Sequence, residues 1–201
     1  MEENKKENPN AENVYIFLFD EFSDWEISYL TPELRKSEKT VLKYFTIDGL
    51  EIISAGGFKI IPDLSIDELN QDNISLLVLP GGSAWEEKSI KGIDKLVETL
   101  NSKNKTIATI CGATTYLGQK GYLDKVKHTS NSLEYLKYIA PNYKGEKEYQ
   151  SNFSVTDENI ITANGIAPIE FAREIFRKIN LNSEEEIEKW FQLFKNGIWA
   201  E

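Results

Sequence analysis

The only cysteine of the chain, Cys111, stands where a sulfur nucleophile is expected. It directly follows the apolar run 106–110, and the small residues Gly112 and Ala113 come next. This pattern is typical of a nucleophile elbow, a sharp strand-to-helix turn that lifts a Ser or Cys above the carboxyl edge of a sheet. The start of a helix also stabilises a thiolate over a thiol. The alternative is a buried cysteine that packs as a small hydrophobic residue.

A second candidate element, Pro80-Gly81-Gly82, ends the preceding apolar run, 75–79. Two glycines leave backbone N–H groups without side-chain cover, as an oxyanion hole requires. A plain strand-ending turn is the alternative interpretation. If both runs are parallel strands, Gly82 and Cys111 lie at the same edge of the sheet, where open α/β sheets bind ligands.

A third element follows the first apolar run and is rich in carboxyl groups. Its acids are Asp20, Glu21, Asp24 and Glu26. Of these, only Glu26 is followed by an apolar face, formed by Ile27 and Leu30, that would turn it inward. A buried carboxyl beside the sulfur would have a raised pKa and could carry a proton. Alternatively, Ser23 caps a helix and Glu26 completes its capping box.

The arrangement of apolar runs predicts the elements that position these residues. The runs 14–19, 75–79 and 106–110 have the length and continuity of strands buried on both faces. Helical stretches over 24–37, 89–102 and 112–121 alternate with them. This alternation predicts a doubly wound α/β fold, with a mainly parallel sheet between helices. A further strand is predicted at 42–47, and a hairpin at 50–61 around Gly56-Gly57.

The second half of the chain continues the same fold. It is predicted to contain a helix at 133–139, strands at 153–155 and 159–162, a helix at 169–179 opened by Pro168, and a last helix from Ser183 to about Asn196. Because no composition break divides the chain, residues 13–201 are predicted to form one domain. Residues 1–12 have the composition of a disordered polar tail.

Composition excludes several classes of function. Of 201 residues, 40% are hydrophobic, and 23 Lys and Arg oppose 33 Asp and Glu, a net charge of −10. Nucleic-acid binding therefore lacks its usual electrostatic driving force. No run approaches the roughly 20 apolar residues of a membrane span, and no secretory signal is recognisable. One cysteine and one histidine allow neither an intramolecular disulfide nor a thiolate–imidazole metal cluster. We therefore expect a cytoplasmic protein without a metal or cofactor, acting on a small molecule.

Taken together, these segments resemble the DJ-1/PfpI family of the class I glutamine amidotransferase-like superfamily. The likeness spans roughly residues 13–180. It rests on Asp24-Trp25-Glu26, Leu79-Pro80-Gly81-Gly82, Ile110-Cys111-Gly112-Ala113, Gly121-Tyr122-Leu123-Asp124, His128-Thr129-Ser130-Asn131, and Thr162-Ala163-Asn164-Gly165 with the residues after it. The resemblance implies a flavodoxin-like fold, a homodimer and a catalytic cysteine at position 111. It also implies an acid partner at Glu26 and oxyanion donors in the N–H groups of Gly82 and Gly112.

The chain departs from the family pattern at one informative place. Many members have a histidine where Asn131 stands, and the only histidine, His128, lies three residues earlier. A Cys–His dyad is therefore not expected, which disfavours proteolysis and true amidotransferase activity. Gly81, His128 and Asn131 are possible pocket residues, although a structural or surface imidazole is the better explanation of His128. Trp85, three residues after Gly82, is a possible pocket wall, although packing is its commoner role.

Two functional hypotheses use this same site. In the first, the Cys111 thiolate attacks a small electrophile in a hydrolase, hydratase or glyoxalase-like reaction, with Glu26 moving the proton. In the second, the protein is a redox sensor whose cysteine is oxidised to sulfinate. A fold retained only for binding is a third possibility, which an ordinary thiol pKa would support.

Overall fold

A seven-stranded sheet runs through the computed structural model, which describes residues 11–199. The described residues form nine strands, seven of them in this sheet. They are β1 Glu12–Phe17, β2 Thr40–Thr46, β3 Ile52–Ile53, β4 Lys59–Ile60, β5 Leu64–Ser65, β6 Leu76–Leu79, β7 Thr106–Ile110, β8 Ser154–Asp157 and β9 Ile160–Ala163. The order in the main sheet is β5-β2-β1-β6-β7-β9-β8, and only the β8–β9 pair is antiparallel. β3 and β4 form a separate antiparallel hairpin.

Helices surround this sheet. They are α1 Thr31–Lys36, α2 Ser83–Glu86, α3 Asp94–Ser102, α4 Ala113–Gln119, α5 Leu133–Ile139, α6 Pro168–Lys178 and α7 Glu184–Asn196. Every residue of β6 and of β9 is buried, so both faces of the central strands are covered. The predicted flavodoxin-like α/β architecture is confirmed. No helix within residues 11–199 is long and apolar enough to cross a bilayer.

The helix predicted over 24–37 is not continuous. Asp24–Glu26 form a single 3₁₀ turn, and the α-helix begins only at Thr31. Pro32 explains the late start, because proline lacks an N–H donor and is tolerated in a first helical turn but not inside a helix. Glu26 therefore lies on a tight 3₁₀ turn, after the loop that follows β1.

Other boundaries differ less. The helix predicted over 89–102 begins at Asp94. The last helix agrees with its prediction, since Ser183 and Glu186 form a reciprocal capping box at its start. β1 takes in Glu12, the last residue of the predicted polar tail, and residues 1–10 lie outside the described part of the chain.

The β3–β4 hairpin is attached to the loop that carries Glu26. The N–H of Ile53 donates to Asp20 Oδ1 at 2.9 Å, and the N–H of Gly56 donates to Asp24 Oδ2 at 2.8 Å. The Ser54 hydroxyl also donates to Asp24. These bonds explain why the segment is rich in carboxyl groups: two of its acids hold the hairpin, and Glu26 is left to face the protein interior.

Candidate active site

Cys111 stands on a strained turn between β7 and α4. Its backbone φ is 57°, in the left-handed region that non-glycine residues seldom occupy. The strand ends at Ile110 and the helix begins at Ala113, while the Cys111 N–H still donates to Ala163 O at 3.0 Å. Strain of this kind persists only where the surroundings fix it, and it clusters at functional sites. The predicted elbow is therefore present, with a half-buried cysteine on it.

Glu26 meets Cys111 at Gly81. The carboxyl group is fully buried, and its Oε2 accepts a 2.6 Å hydrogen bond from the Gly81 N–H. A methyl group built on Gly81 would lie 2.7 Å from Glu26 Oε2 and 2.7 Å from the Cys111 Cβ. Only glycine fits between the two side chains. Among the described residues, no group has hydrogen-bonding geometry to the second oxygen, Oε1.

Burial sets the protonation of Glu26. It raises the pKa of this carboxyl to about 7, because the charged form is poorly solvated inside the protein. The Gly81 N–H opposes the increase, as do smaller favourable interactions with the Cys111 thiol and the Ser23 hydroxyl. The predicted raised pKa is found. A carboxyl that titrates near neutrality can both accept and donate a proton under physiological conditions.

Cys111 does not have the lowered pKa that its position at a helix start predicts. Burial and the charge of the Glu26 carboxylate raise the pKa of the thiol to about 12, despite opposing hydrogen bonds from Asn131 and from the Gly112 N–H. The helix start contributes as expected, but burial and the neighbouring carboxylate outweigh it. The expectation of a resting thiolate is thus corrected: in the free protein the proton stays on sulfur.

Asn131 reaches the sulfur. Its Nδ2 donates to Cys111 Sγ at 3.4 Å, and its Oδ1 accepts a 2.9 Å bond from the Gly165 N–H, which fixes the orientation of the amide. A methyl group on Gly165 would lie 2.7 Å from Sγ, so this glycine lets the backbone close against the thiol. The residue that stands at the family's histidine position is therefore next to the nucleophile.

His128 is not next to it. Its side chain is fully buried, with Nδ1 2.7 Å from Val126 O and Nε2 2.6 Å from the Tyr143 hydroxyl. Both ring nitrogens are thereby occupied, and the ring packs edge-on against Tyr143 and Tyr149. Burial lowers the pKa of this imidazole. The prediction that His128 is a pocket residue is therefore wrong. The alternative prediction, a structural imidazole, agrees with its buried, hydrogen-bonded ring.

Gly82 and Gly112 lie side by side at the starts of α2 and α4. A methyl group on Gly112 would come within 3.0 Å of the Gly82 carbonyl oxygen, and both glycines hold N-cap positions, where N–H groups lack helical acceptors. Trp85 lies beneath this pair. It is 5% exposed, and its indole Nε1 donates to Pro80 O at 2.8 Å. Trp85 therefore supports the glycine turn from below, with its polar atom already used.

Sequence reasoning missed Tyr135 and Glu86. The Tyr135 hydroxyl on α5 donates to Glu86 Oε1 on α2 at 2.7 Å. Burial, Glu86 and the charge of Cys111 raise the pKa of Tyr135, and a hydrogen bond with Asn131 opposes the increase. The two residues are 49 positions apart in sequence, so no local sequence pattern predicts this bond between α5 and α2. Within residues 11–199, no three His, Cys, Asp or Glu side chains are grouped so that they could hold a metal ion.

With this geometry established, similarity to known proteins is informative. The model of the DJ-1/PfpI family matches residues 12–178. The chain belongs to the DJ-1/PfpI family. A Bacillus subtilis member named "Uncharacterized protease YoaZ" is 42% identical over 189 residues, covering 90% of both chains. The Pyrococcus furiosus protein "Deglycase PfpI" is 33% identical over 120 residues, which cover 58% of this chain and 70% of that protein.

Solved structures of DJ-1/PfpI proteins agree in fold. A DJ-1 superfamily protein from Agrobacterium tumefaciens has a TM-score of 0.86 at 34% identity, covering 93% of this chain and 99% of its own. A ThiJ/PfpI family protein from Bacillus anthracis has a TM-score of 0.84 at 38% identity, covering 94% and 92%. The family resemblance drawn from the sequence motifs is confirmed. The two relatives from Bacillus subtilis and Pyrococcus furiosus are thus named a protease and a deglycase.

Proposed function

We propose that this protein is a cysteine-dependent enzyme that acts on a small electrophilic substrate, in a hydrolase, hydratase or glyoxalase-like reaction. The observation that carries the proposal is the buried Glu26 carboxyl, which titrates near 7 and meets the half-buried Cys111 at Gly81. A general base works best with a pKa near the operating pH. The names of several relatives, deglycase among them, support this class of reaction.

In the proposed mechanism, Glu26 takes the thiol proton as sulfur attacks. Cys111 Sγ forms a bond to the electrophilic carbon, the π electrons of that carbon move to its oxygen, and the thiol proton passes to Glu26. The N–H groups of Gly82 and Gly112 stabilise the negative oxygen. Protonated Glu26 then returns its proton, either to that oxygen or to a leaving group. In the hydrolytic and hydration variants, water finally releases the product from sulfur and restores the thiol.

Asn131 has a supporting role in this proposal. Its amide donates to sulfur and is itself fixed by Gly165, so it stabilises negative charge on Sγ as the proton leaves. Unlike a histidine, an amide accepts no proton at neutral pH. Glu26 is therefore the proposed sole acid–base partner of Cys111.

The test is turnover of small α-dicarbonyl and amide substrates by the wild type and two variants. Cys111→Ser and Glu26→Gln should each lower kcat/KM by a factor of about 10² or more, since general bases contribute 10²–10⁴. His128→Gln, a change at a titratable residue away from the sulfur, is the matched control and should retain activity. Unchanged turnover by Cys111→Ser would refute the proposal.

The alternative hypothesis, a peroxide sensor, receives less support from this site. Oxidation proceeds through thiolate, and burial beside Glu26 raises the pKa of the Cys111 thiol. We therefore expect slow addition of oxygen to the free protein. Intact mass after mild peroxide treatment measures it: rapid gain of two oxygens at Cys111 without turnover of any substrate would favour the sensor.

We further propose that the protein acts as a homodimer in the cytoplasm. Apolar side chains on the hairpin and on the neighbouring turn support dimerisation: Phe58 is 65% exposed and Trp25 51%. Light scattering coupled to size exclusion gives the oligomeric state, and cell fractionation gives the compartment.

A further inference from the structure

A cavity lies between α2 and α4, and residues of α3 and α5 also line it. It has a volume of about 200 Å³. Its apolar lining includes Trp85, Ile90, Tyr116 and Ile139. None of Cys111, Glu26 and Asn131 contributes to its wall. The apolar lining is suited to the hydrocarbon or aromatic body of a small molecule.

The rim of this cavity is positively charged. It carries Lys88, Lys91 and Lys120 and a single carboxylate, Asp94. Both oxygens of Asp94 are occupied, because Oδ2 pairs with Lys120 Nζ at 2.8 Å and Oδ1 accepts from the Tyr116 hydroxyl at 2.8 Å. Lys91 Nζ donates to the backbone carbonyl of Lys88 at 2.7 Å.

The lysines outnumber the carboxylates at this rim. Lys91 contributes to lowering the pKa of Asp94, and the three lysines and one aspartate together leave a charge of +2. The whole chain carries −10. A local positive site on a strongly acidic protein favours an anion, and a carboxylate is an anion that lysine side chains bind well.

We propose that this cavity binds a small amphipathic carboxylate. The apolar body packs on Trp85 and Ile90, and the carboxylate lies between Lys88 and Lys91. This site is separate from the proposed catalytic centre and does not depend on its function. The ligand would contact the two helices that begin beside Gly82 and Gly112.

The test uses 3-phenylpropionate as probe and its neutral analogue 3-phenylpropanol, with binding measured by isothermal titration calorimetry on the full chain. We expect one saturable site for the acid and at least tenfold weaker binding of the alcohol. Lys88→Gln/Lys91→Gln should weaken binding of the acid at least tenfold. A control with the same change in charge, Lys125→Gln/Lys147→Gln, should stay within twofold of the wild type.

A second arm separates this cavity from the thiol. Protein alkylated at Cys111 with iodoacetamide should bind the acid as tightly as untreated protein. The proposal is overturned if the acid does not bind, if the alcohol binds equally well, if the Lys88/Lys91 variant binds normally, or if alkylation abolishes binding. Circular dichroism of each variant checks that its fold is retained.

Discussion

Replacing Glu26 with Gln changes the protonation chemistry at Cys111 with little change in shape. A glutamine side chain keeps an oxygen that can accept from the Gly81 N–H, but it cannot take a proton from the thiol. The measurement is the rate of Cys111 alkylation by iodoacetamide between pH 5 and 10. Because Cys111 is the only cysteine, the rate reports on one site.

The expected shift of the pH–rate profile for Cys111 alkylation follows from the pKa values of Glu26 and Cys111. In the wild type Glu26 has a pKa of about 7 and the proton of Cys111 stays on sulfur, so at pH 7 about half of the molecules have a carboxylate that can take the thiol proton as sulfur attacks. In Glu26→Gln the thiol ionises alone, and burial keeps its pKa above the ordinary value of about 8.5. Without that base, alkylation at pH 7 should be slower by a factor of about 10² or more, and its rate should rise only as the thiol itself ionises.

Two further variants make this experiment decisive. Glu26→Asp keeps an ionisable group and should keep a midpoint close to neutrality, whereas Glu98→Gln removes an exposed carboxyl on α3 and should leave the profile unchanged. A Glu26→Gln midpoint that remains near 7, or a wild-type rate that rises only above pH 9, would show that Glu26 does not take the proton of Cys111.

Other expected outcomes follow from the same geometry. Since burial raises the pKa of Glu26 from 4.5 to about 7, the folded state binds this proton more tightly than the unfolded state does, and stability falls as pH rises from about 4.5 to 7. In the wild type the free energy of unfolding, measured in urea, should be lower at pH 8 than at pH 5 by up to about 3 kcal/mol. Glu26→Gln should abolish this difference. Asn131→Ala removes the amide donor to sulfur and should slow Cys111 alkylation by roughly tenfold at pH 8, while equal rates would contradict its role. His128→Gln should destabilise the fold by about 1–3 kcal/mol and leave Cys111 alkylation within twofold of the wild type. Ser183→Ala should cost about 1 kcal/mol in thermal or urea unfolding because it breaks the capping box of α7, and no measurable change would argue against that cap.

Local sequence patterns predict the parts of the site that are governed by local physics. The apolar run before Cys111 and the small residues after it predict the elbow, because only a strand followed by a tight turn satisfies both features. The glycines after β6 were placed at the same sheet edge by parallel-strand topology alone. The inward turn of Glu26 could be inferred from the apolar residues that follow it, although the element carrying it is a 3₁₀ turn and not the predicted helix.

Features that depend on long-range packing could not be predicted in this way. The sign of the pKa change at Cys111 depends on how deeply the thiol is buried and on how close Glu26 comes, and neither follows from the position of a cysteine at a helix start. Likewise, the choice between Asn131 and His128 is made by the loop after residue 128, where the Thr129 N–H donates to Thr162 Oγ1 on β9. Tyr135 reaches the site only because α5 packs against α4, the helix that begins just after Cys111.

An asparagine beside the sulfur has a consequence for the whole reaction. A Cys–His pair can store its proton on the imidazole and rest as an ion pair, whereas here the titratable side chain that meets the thiol at Gly81 is the Glu26 carboxyl. The reactive form is then the pair in which Glu26 is ionised and the remaining proton is on sulfur. Because protonated Glu26 must return its proton to the oxygen or the leaving group, the same carboxyl serves first as base and then as acid. This double role requires that the pKa of Glu26 lie close to the working pH. Burial raises it to that range, although the hydrogen bond from the Gly81 N–H opposes the increase.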